Sequence, residues 1–187
     1  METMIGYDTI RSSTETGIIA LNVLKSILPQ CKSIKQLENL LVSYVRKTIS
    51  SRPTSAMMIN VFRKTLSTFL DLKDVGEVER VKSALGKVIE EELKNAYESL
   101  NRAALIASKR IVDGDVVMTN AYSITILKTL EYAKGDGKDF RIIVAESRPG
   151  DDGHVTAKLL SKAGFKVTLI IDSAIRYFMK YATKVFV

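Results

Sequence analysis

Two arginines and a few polar side chains are the residues of this 187-residue chain best suited to chemistry. Arg52 and Arg148 each carry a planar guanidinium that can bind a phosphate through two parallel hydrogen bonds. A short run adds neutral hydrogen-bonding groups: Thr119, Asn120 and Ser123. Together these residues favour an anion site, and Glu146 and Asp172 are further candidates for contact with the ligand. In the alternative interpretation, the arginines pair with Glu146 or Asp172 and only fix the loops that carry them.

Nucleophilic and metal-binding chemistry has little support in the sequence. The single cysteine, Cys31, follows a proline and a glutamine in a predicted interhelical turn, where no sequence cue points to an activating base. The single histidine, His154, supplies too few ligands for a metal ion, and the spacing in DDGH fits no known metal motif. We predict no catalytic residue of these types, no metal, no cofactor, and a surface or helix-start role for His154.

The charge of the chain is basic but dispersed. Its 28 Lys and Arg residues against 21 Asp and Glu residues give a formal charge of +7, and the two signs alternate along predicted helices. This pattern indicates a solvated surface, and without an aromatic-rich motif it predicts no direct nucleic-acid binding. No run approaches the roughly 20 apolar residues of a membrane helix, and the N-terminus does not resemble a signal peptide, so we expect no membrane association and a cytoplasmic location.

The first 110 residues are predicted to be helical. One apolar stripe at helical spacing contains Ile18, Leu21, Leu24 and Leu28, and Pro29 ends it. Ser33 and Gln36 form a capping box for a second helix. The proline of SSRPT is expected in the first turn of a third helix, with an apolar face at Met57, Ile59, Phe62, Leu66 and Leu70. Asp74 and Glu77 repeat the capping-box spacing before a long helix that runs to about residue 113.

The pattern changes after residue 110. Short apolar runs, DVVMTN, RIIVAES, KVTLIID and KVFV, alternate with helical segments, the last of which is predicted to be capped by Ser173. Such alternation predicts a parallel sheet covered on both faces. The fold class is therefore α plus α/β, with a helical domain over residues 1–110 and the first part of a Rossmann-like domain over 111–187. Tyr177, Phe178 and Met179 are expected to pack in the core or at the sheet edge.

The strand KVFV ends the chain without a covering helix. An open parallel sheet normally continues through five or six strands. We therefore expect either a fragment of a longer protein or a last strand completed by another subunit. The candidate residues Thr119 to Ser123 and Glu146 to Arg148 follow predicted strands, and loops at the carboxyl ends of parallel strands are where such sheets bind ligands.

Four segments together resemble one protein family: SSRPTS (50–55), IVDGDVVMTNAYS (111–123), VAESRPGDDG (144–153) and VTLIIDSAIRYFM (167–179). This family unites the alpha, beta and delta regulatory subunits of translation initiation factor 2B with methylthioribose-1-phosphate isomerase and archaeal ribose-1,5-bisphosphate isomerase. TNAYS is most similar to THAYS of the alpha-type subunit, and an archaeal source is expected. The resemblance also implies that a further half-domain, which carries dimer contacts and the isomerases' catalytic aspartate, is missing.

The resemblance also identifies where this chain departs from the isomerases. They carry a cysteine preceded by histidine in the loop where this chain has Ala121 and Asn120. Their glycine-rich phosphate segment is replaced by Thr14-Glu15-Thr16. An alanine methyl group transfers no proton and forms no covalent intermediate, so isomerase catalysis is expected to be absent.

The resemblance implies a regulatory or scaffold function. In the related factor, the helical domains recognise the alpha subunit of initiation factor 2, and this chain is expected to do the same as a homodimer. Two alternatives remain open. One is a sugar-phosphate isomerase, and the other is a sensor that binds a sugar phosphate or a nucleotide through Arg52 and Arg148.

Overall fold

Residues 12–53, 55–74 and 76–187 are described by a computed structural model of the chain. They divide into a helical unit, Ser13–Ser99, and an α/β unit that contains Leu100–Val187. Most of the segment in which a signal peptide was sought lies outside the described residues. Within them, none of the helices combines the length and the hydrophobicity that a membrane span requires.

Apolar stripes on successive helices build the helical unit. Its helices are α1 (Ser13–Ile27), α2 (Ile34–Ser51), α3 (Ala56–Leu72) and α4 (Val78–Ser108), which continues into the α/β unit, and a 3₁₀ turn holds Pro29 after α1. The predicted stripe of α1 is confirmed, since its four residues are all buried. They join side chains from the other three helices in one core, which includes Leu37, Leu41, Phe62, Leu85 and Ile89.

The predicted helix starts differ in detail from the structure. The hydroxyl of Ser33 accepts a hydrogen bond from the Gln36 amide at 3.2 Å, as expected for a capping box. The Gln36 side chain, however, accepts from the amide of Lys32 instead of Ser33. Helix α4 begins directly after Glu77, so Asp74 lies too early to cap it.

The predicted start of α3 was wrong. Ser55 caps the helix, so Pro53 lies before it instead of in its first turn. The buried face of the helix also differs from the prediction and contains Met58, Val61, Phe62, Thr65 and Phe69. Ile59 and Leu70, which were assigned to the core, are exposed.

The α/β unit has the predicted alternation of strands and helices. In chain order its elements are β1 (Val116–Thr119), α5 (Ile124–Gly135), β2 (Arg141–Ala145), α6 (Asp152–Lys162), β3 (Lys166–Ile170), α7 (Ile175–Met179) and β4 (Lys184–Phe186). The four strands form one parallel sheet with the order β3-β2-β1-β4. This confirms the Rossmann-like parallel sheet.

Each face of the sheet has its own apolar cluster. Side chains of α5 and α6 pack on one face, among them Leu127, Leu130 and Leu160. The other face is packed by residues in and after α7, including Ile175 and Phe178.

The carboxyl-terminal helix α7 departs from two predictions. Ser173 lies inside a 3₁₀ turn before α7 and does not cap it. Tyr177 and Met179 are 58% and 42% exposed, so of the three residues expected to pack there only Phe178 does so.

A buried carboxylate connects the starts of β1 and β4. Asp115 accepts hydrogen bonds from the Thr183 hydroxyl at 2.6 Å and the Val112 amide at 2.8 Å. Burial raises the pKa of Asp115, but these hydrogen bonds and the nearby Lys184 charge outweigh it and hold the pKa below its ordinary value. The Thr183 hydroxyl in turn accepts from the Val116 amide at 3.0 Å. Asp115 is therefore ionised near neutral pH and helps to position β4 beside β1.

Candidate functional site

Loops at the carboxyl ends of β1, β2 and β3 are joined by hydrogen bonds between side chains and main chain. The Ala121 amide donates to the Ser147 hydroxyl at 2.6 Å. The amides of Ser147 and Arg148 donate to the two carboxylate oxygens of Asp172 at 2.9 and 2.7 Å. Because the strands are parallel and adjacent, these loops meet at one edge of the sheet, where the sequence predicted a binding site.

Asp172 is a positioning residue for these loops. The Arg148 amide, and then the Ser147 amide, lower the pKa of its carboxyl group because hydrogen bonds from main-chain amides favour the charged form. Each carboxylate oxygen has an amide partner. Asp172 therefore contacts Arg148 through the main chain and does not bind its guanidinium.

The guanidinium of Arg148 pairs with a residue that the sequence analysis did not select. Its Nη1 lies 3.0 and 2.8 Å from the two carboxylate oxygens of Asp151. The interpretation in which Arg148 pairs with Glu146 or Asp172 was therefore wrong about the partner. The side chains of Arg148 and Asp151 are 64% and 43% exposed, so the pair lies in a highly solvated environment and contributes little to stability.

Three residues of these loops have left-handed backbone conformations. The φ angles are 55° at Ala121, 62° at Ser147 and 58° at Asp151. Residues other than glycine adopt this region rarely and at an energetic cost, and strained residues cluster at functional sites. The hydrogen bonds around Ser147 and Asp172 hold the loops in this geometry.

Helix α6 begins in close contact with the end of β2. A Cβ atom at Gly153 would overlap the carbonyl oxygen of Ala145, so this position admits only glycine without rearrangement. The Gly153 amide donates to the Glu146 carbonyl at 3.1 Å. Thr156, one turn later, donates its hydroxyl to the Ala121 carbonyl at 2.7 Å. Helix α6 therefore supports the loops that follow both β1 and β2.

This close approach brings three potential metal ligands together. One ligand atom each from Glu146, Asp151 and His154 lie within 4.8 Å of one another. The His154 Nδ1 atom is 3.6 Å from the Asp151 carboxylate. The sequence analysis considered only DDGH as a metal motif and did not connect Glu146 with it. The approach of Glu146 to His154 depends on the close contact at Gly153, which the spacing of residues does not show.

The remaining predicted site residues have different surroundings. Thr119 is buried at the end of β1, and Asn120 is exposed directly after it. The Ser123 hydroxyl accepts from the Ile126 amide at 3.4 Å and caps α5. Arg52 belongs to the helical unit, where its amide donates to the Ile49 carbonyl at the end of α2. The carboxyl ends of the strands of the α/β unit and the segments that follow them therefore contain every predicted site residue except Arg52.

Cys31 lies in the helical unit and is buried. Burial raises the pKa of its thiol, which outweighs the opposite effect of the nearby Lys82 charge. Because the thiolate is the nucleophilic form, this environment disfavours a reactive cysteine.

The sequence pattern of the Initiation factor 2 subunit family matches residues 9–187. The chain belongs to this family. It is 36% identical over 132 residues to ribose 1,5-bisphosphate isomerase of Methanocaldococcus jannaschii, an overlap of 71% of this chain and 41% of that protein. It is 34% identical over 148 residues to translation initiation factor eIF2B subunit delta of Schizosaccharomyces pombe, an overlap of 77% and 31%. The chain thus spans less than half the length of these curated relatives.

A solved structure supports the fold. The translation initiation factor eIF-2B structure of Pyrococcus horikoshii superposes with a TM-score of 0.77 at 21% identity, covering 95% of this chain and 60% of that one. The family resemblance and the α plus α/β architecture are both confirmed. Since the family members above include both a translation-factor subunit and an isomerase, membership alone does not assign an activity.

Proposed function

We propose that the chain is a non-catalytic regulatory or scaffold subunit of the initiation factor 2B type, with a helical unit that binds the alpha subunit of initiation factor 2. The observation that carries the proposal is Ala121, at the position where the resemblance places the isomerase cysteine. A methyl group there removes the acid, base or nucleophile that sugar isomerisation requires.

The contacts of Ala121 support this proposal. Its amide donates to Ser147, and its carbonyl accepts from Thr156, so the main chain of this residue serves to hold the loop. Asp172, the carboxylate of the third loop, is ionised near neutral pH and accepts from two amides. These groups fix the shape of the loops and are poorly placed to act as proton donors.

The surface of the helical unit suits reversible contact with a protein. Several of its cations are already paired with acidic residues, as Lys25 is with Glu90 and Lys64 with Glu91 and Glu92. Exposed apolar side chains lie on α2 and α3, at Val42, Ile59 and Leu70. Protein interfaces combine apolar contacts with a polar, solvated rim.

Calorimetric titration with the initiation factor 2 alpha subunit of the same organism tests the partner. We expect saturable binding, with the heat of binding reduced by Ile59→Asp, which places a charge on α3 without disturbing the core. Arg141→Ala, at an exposed position in the α/β unit, is the matched control and should leave binding unchanged. Absence of binding by the unmodified chain would count against the proposed partner.

An isomerase is the second candidate, because a relative at 36% identity is named ribose 1,5-bisphosphate isomerase. The chain would be incubated with ribose 1,5-bisphosphate and with methylthioribose 1-phosphate while ketose formation is followed. We expect no turnover. Appreciable turnover would overturn the role given to Ala121 and the non-catalytic assignment with it.

A sensor of sugar phosphates or nucleotides is the third candidate, favoured by the exposed guanidinium of Arg148. Thermal-shift measurements with both ligand classes test it. A ligand that binds there should stabilise the chain, and Arg148→Ala should abolish that shift. Arg141→Ala is the control because Arg141 lies at the start of β2, whereas Arg148 lies in the loop that follows the end of this strand.

The cytoplasmic location and the homodimer are also part of this proposal. Light scattering of the purified chain measures its mass in solution. A mass twice that of the single chain is expected, and a monomer across the accessible concentration range would contradict the homodimer.

A further inference from the structure

We infer that Glu146, Asp151 and His154 form a binding site for a divalent transition-metal ion such as Zn²⁺. Their ligand atoms lie within 4.8 Å of one another. They come from the end of β2, from the residue before α6 and from its first turn. This inference is independent of the proposed function, because a regulatory subunit and an isomerase could equally carry such an ion.

The donor types determine which metal fits. Imidazole nitrogen suits Zn²⁺, Cu²⁺ and Ni²⁺, whereas a site made only of carboxylates would favour Mg²⁺ or Ca²⁺. One nitrogen and two oxygens provide three protein ligands and leave a position for water. With metal–ligand distances of about 2.1 Å, tetrahedral donors stand about 3.4 Å apart. The pair formed by His154 Nδ1 and Asp151 Oδ1 is already at 3.6 Å.

Main-chain hydrogen bonds fix the backbone of the three residues that supply the metal ligands. The Glu146 amide donates to the Ile170 carbonyl of β3 at 2.9 Å, and the Glu146 carbonyl accepts from Gly153. The His154 amide donates to the Asp151 carbonyl at 3.0 Å. The ligand atoms already lie within 4.8 Å of one another, and all three side chains are partly or fully exposed, so we expect side-chain rotation to bring them to coordination distance.

Arg148 is an internal competitor for this site. Its guanidinium contacts both carboxylate oxygens of Asp151 at 3.0 and 2.8 Å. A metal ion must share this carboxylate or displace the guanidinium. Because the Arg148 side chain is 64% exposed, it can turn into solvent at little cost. Removing the guanidinium should therefore strengthen metal binding.

Calorimetric titration of the intact chain with ZnCl₂ tests the site, with the visible absorption of Co²⁺ as a second readout of nitrogen and oxygen coordination. We expect one ion per chain. His154→Ala and Glu146→Gln should each weaken binding at least tenfold, and Glu146→Gln retains the size of the side chain. Glu131→Gln, an exposed carboxylate on α5, is the matched control and should bind as the unmodified chain does.

Two further variants test whether Cys31 binds the ion and whether Arg148 competes with it. Cys31→Ser should leave Zn²⁺ binding unchanged, because that thiol is buried. Arg148→Ala should bind Zn²⁺ several-fold more tightly, and weaker binding would contradict the competition between the two cations. Failure of the unmodified chain to bind Zn²⁺, or full affinity in His154→Ala, would overturn the inference.

Discussion

Different interactions stabilise the interior of the helical unit and the loop edge of the α/β unit. In the helical unit, fully buried side chains such as Leu21, Phe62 and Leu85 form one apolar core. At the loop edge, single hydrogen bonds to Ser147 and Asp172 set the backbone geometry. An apolar core depends on the summed volume of many side chains, whereas the loop edge depends on individual atoms. Substitutions should therefore affect the two regions by different mechanisms.

The largest expected effect is the loss of a core aromatic ring. Phe62 is fully buried and makes an edge contact with Tyr44. Phe62→Ala should lower the free energy of unfolding by about 3–5 kcal/mol, because it removes apolar contacts and leaves a cavity. Urea denaturation followed by circular dichroism measures this. The exposed Val42→Ala is the control and should change stability by less than about 0.5 kcal/mol.

Two glycines give opposite predictions for the two regions. At Gly153 an added Cβ overlaps the Ala145 carbonyl oxygen, so Gly153→Ala should destabilise the chain by about 1–3 kcal/mol or more. Gly86 lies in α4, and a Cβ there would meet no atom within 4 Å. Gly86→Ala should stabilise the chain by about 0.5–1 kcal/mol, since alanine restricts the unfolded chain and favours helix. Equal effects in thermal denaturation would contradict this comparison.

Asp115 tests a buried polar contact in the α/β unit. Asp115→Asn should lower the free energy of unfolding at neutral pH by about 1–3 kcal/mol, because it weakens the bonds from Thr183 and Val112. Since the folded-state pKa lies below the ordinary value of 3.8, the ionised carboxylate stabilises the fold above about pH 4. This stabilisation is lost as the pH falls through the folded-state pKa.

Denaturation curves at several pH values measure the Asp115 contribution. The difference between Asp115→Asn and the unmodified chain should shrink as the pH falls below about 4. Asp136→Asn, which removes an exposed carboxylate, is the control. A difference that grows on acidification would contradict the sign of the pKa shift.

The smallest predicted effect concerns two buried threonines of the helical unit. The Thr65 hydroxyl has no hydrogen-bond partner among the described residues. Thr65→Val should therefore raise the free energy of unfolding by up to about 1 kcal/mol, because it removes an unsatisfied buried polar group. In Thr48 the hydroxyl donates to the Tyr44 carbonyl at 2.7 Å, so Thr48→Val should lower stability by about 1 kcal/mol. Urea titration of both variants measures the contrast.

The sequence predicted the elements well because their signals are local. Runs such as RIIVAES and KVTLIID became neighbouring parallel strands, and the Ser33 cap formed as its spacing indicates. Failures occurred where a distant contact decided the outcome. Asp172, directly before Ser173, accepts hydrogen bonds from main-chain amides of another loop. The segment begins as a 3₁₀ turn, which Ser173 does not cap.

The candidate site was predictable in position but not in its pairings. The rule that ligands bind at the carboxyl ends of parallel strands located the loops that follow β1 and β2. It could not show that Arg148 pairs with Asp151, because that pairing depends on the conformation of the loop between β2 and α6, in which Asp151 is left-handed. Likewise, the proximity of Glu146 to His154 depends on the close approach at Gly153, which sequence spacing alone does not reveal.

Ser147 has a further consequence for how these loops respond to a bound molecule. Its hydroxyl accepts a hydrogen bond from the Ala121 amide, and its own amide donates one to Asp172. One residue therefore connects all three loops. We therefore expect a molecule that binds the first loop to slow hydrogen exchange of the Ser147 and Arg148 amides as well, because the bond to Ala121 and the bonds to Asp172 meet in the same segment. Binding at one loop would then change the local stability of its neighbours.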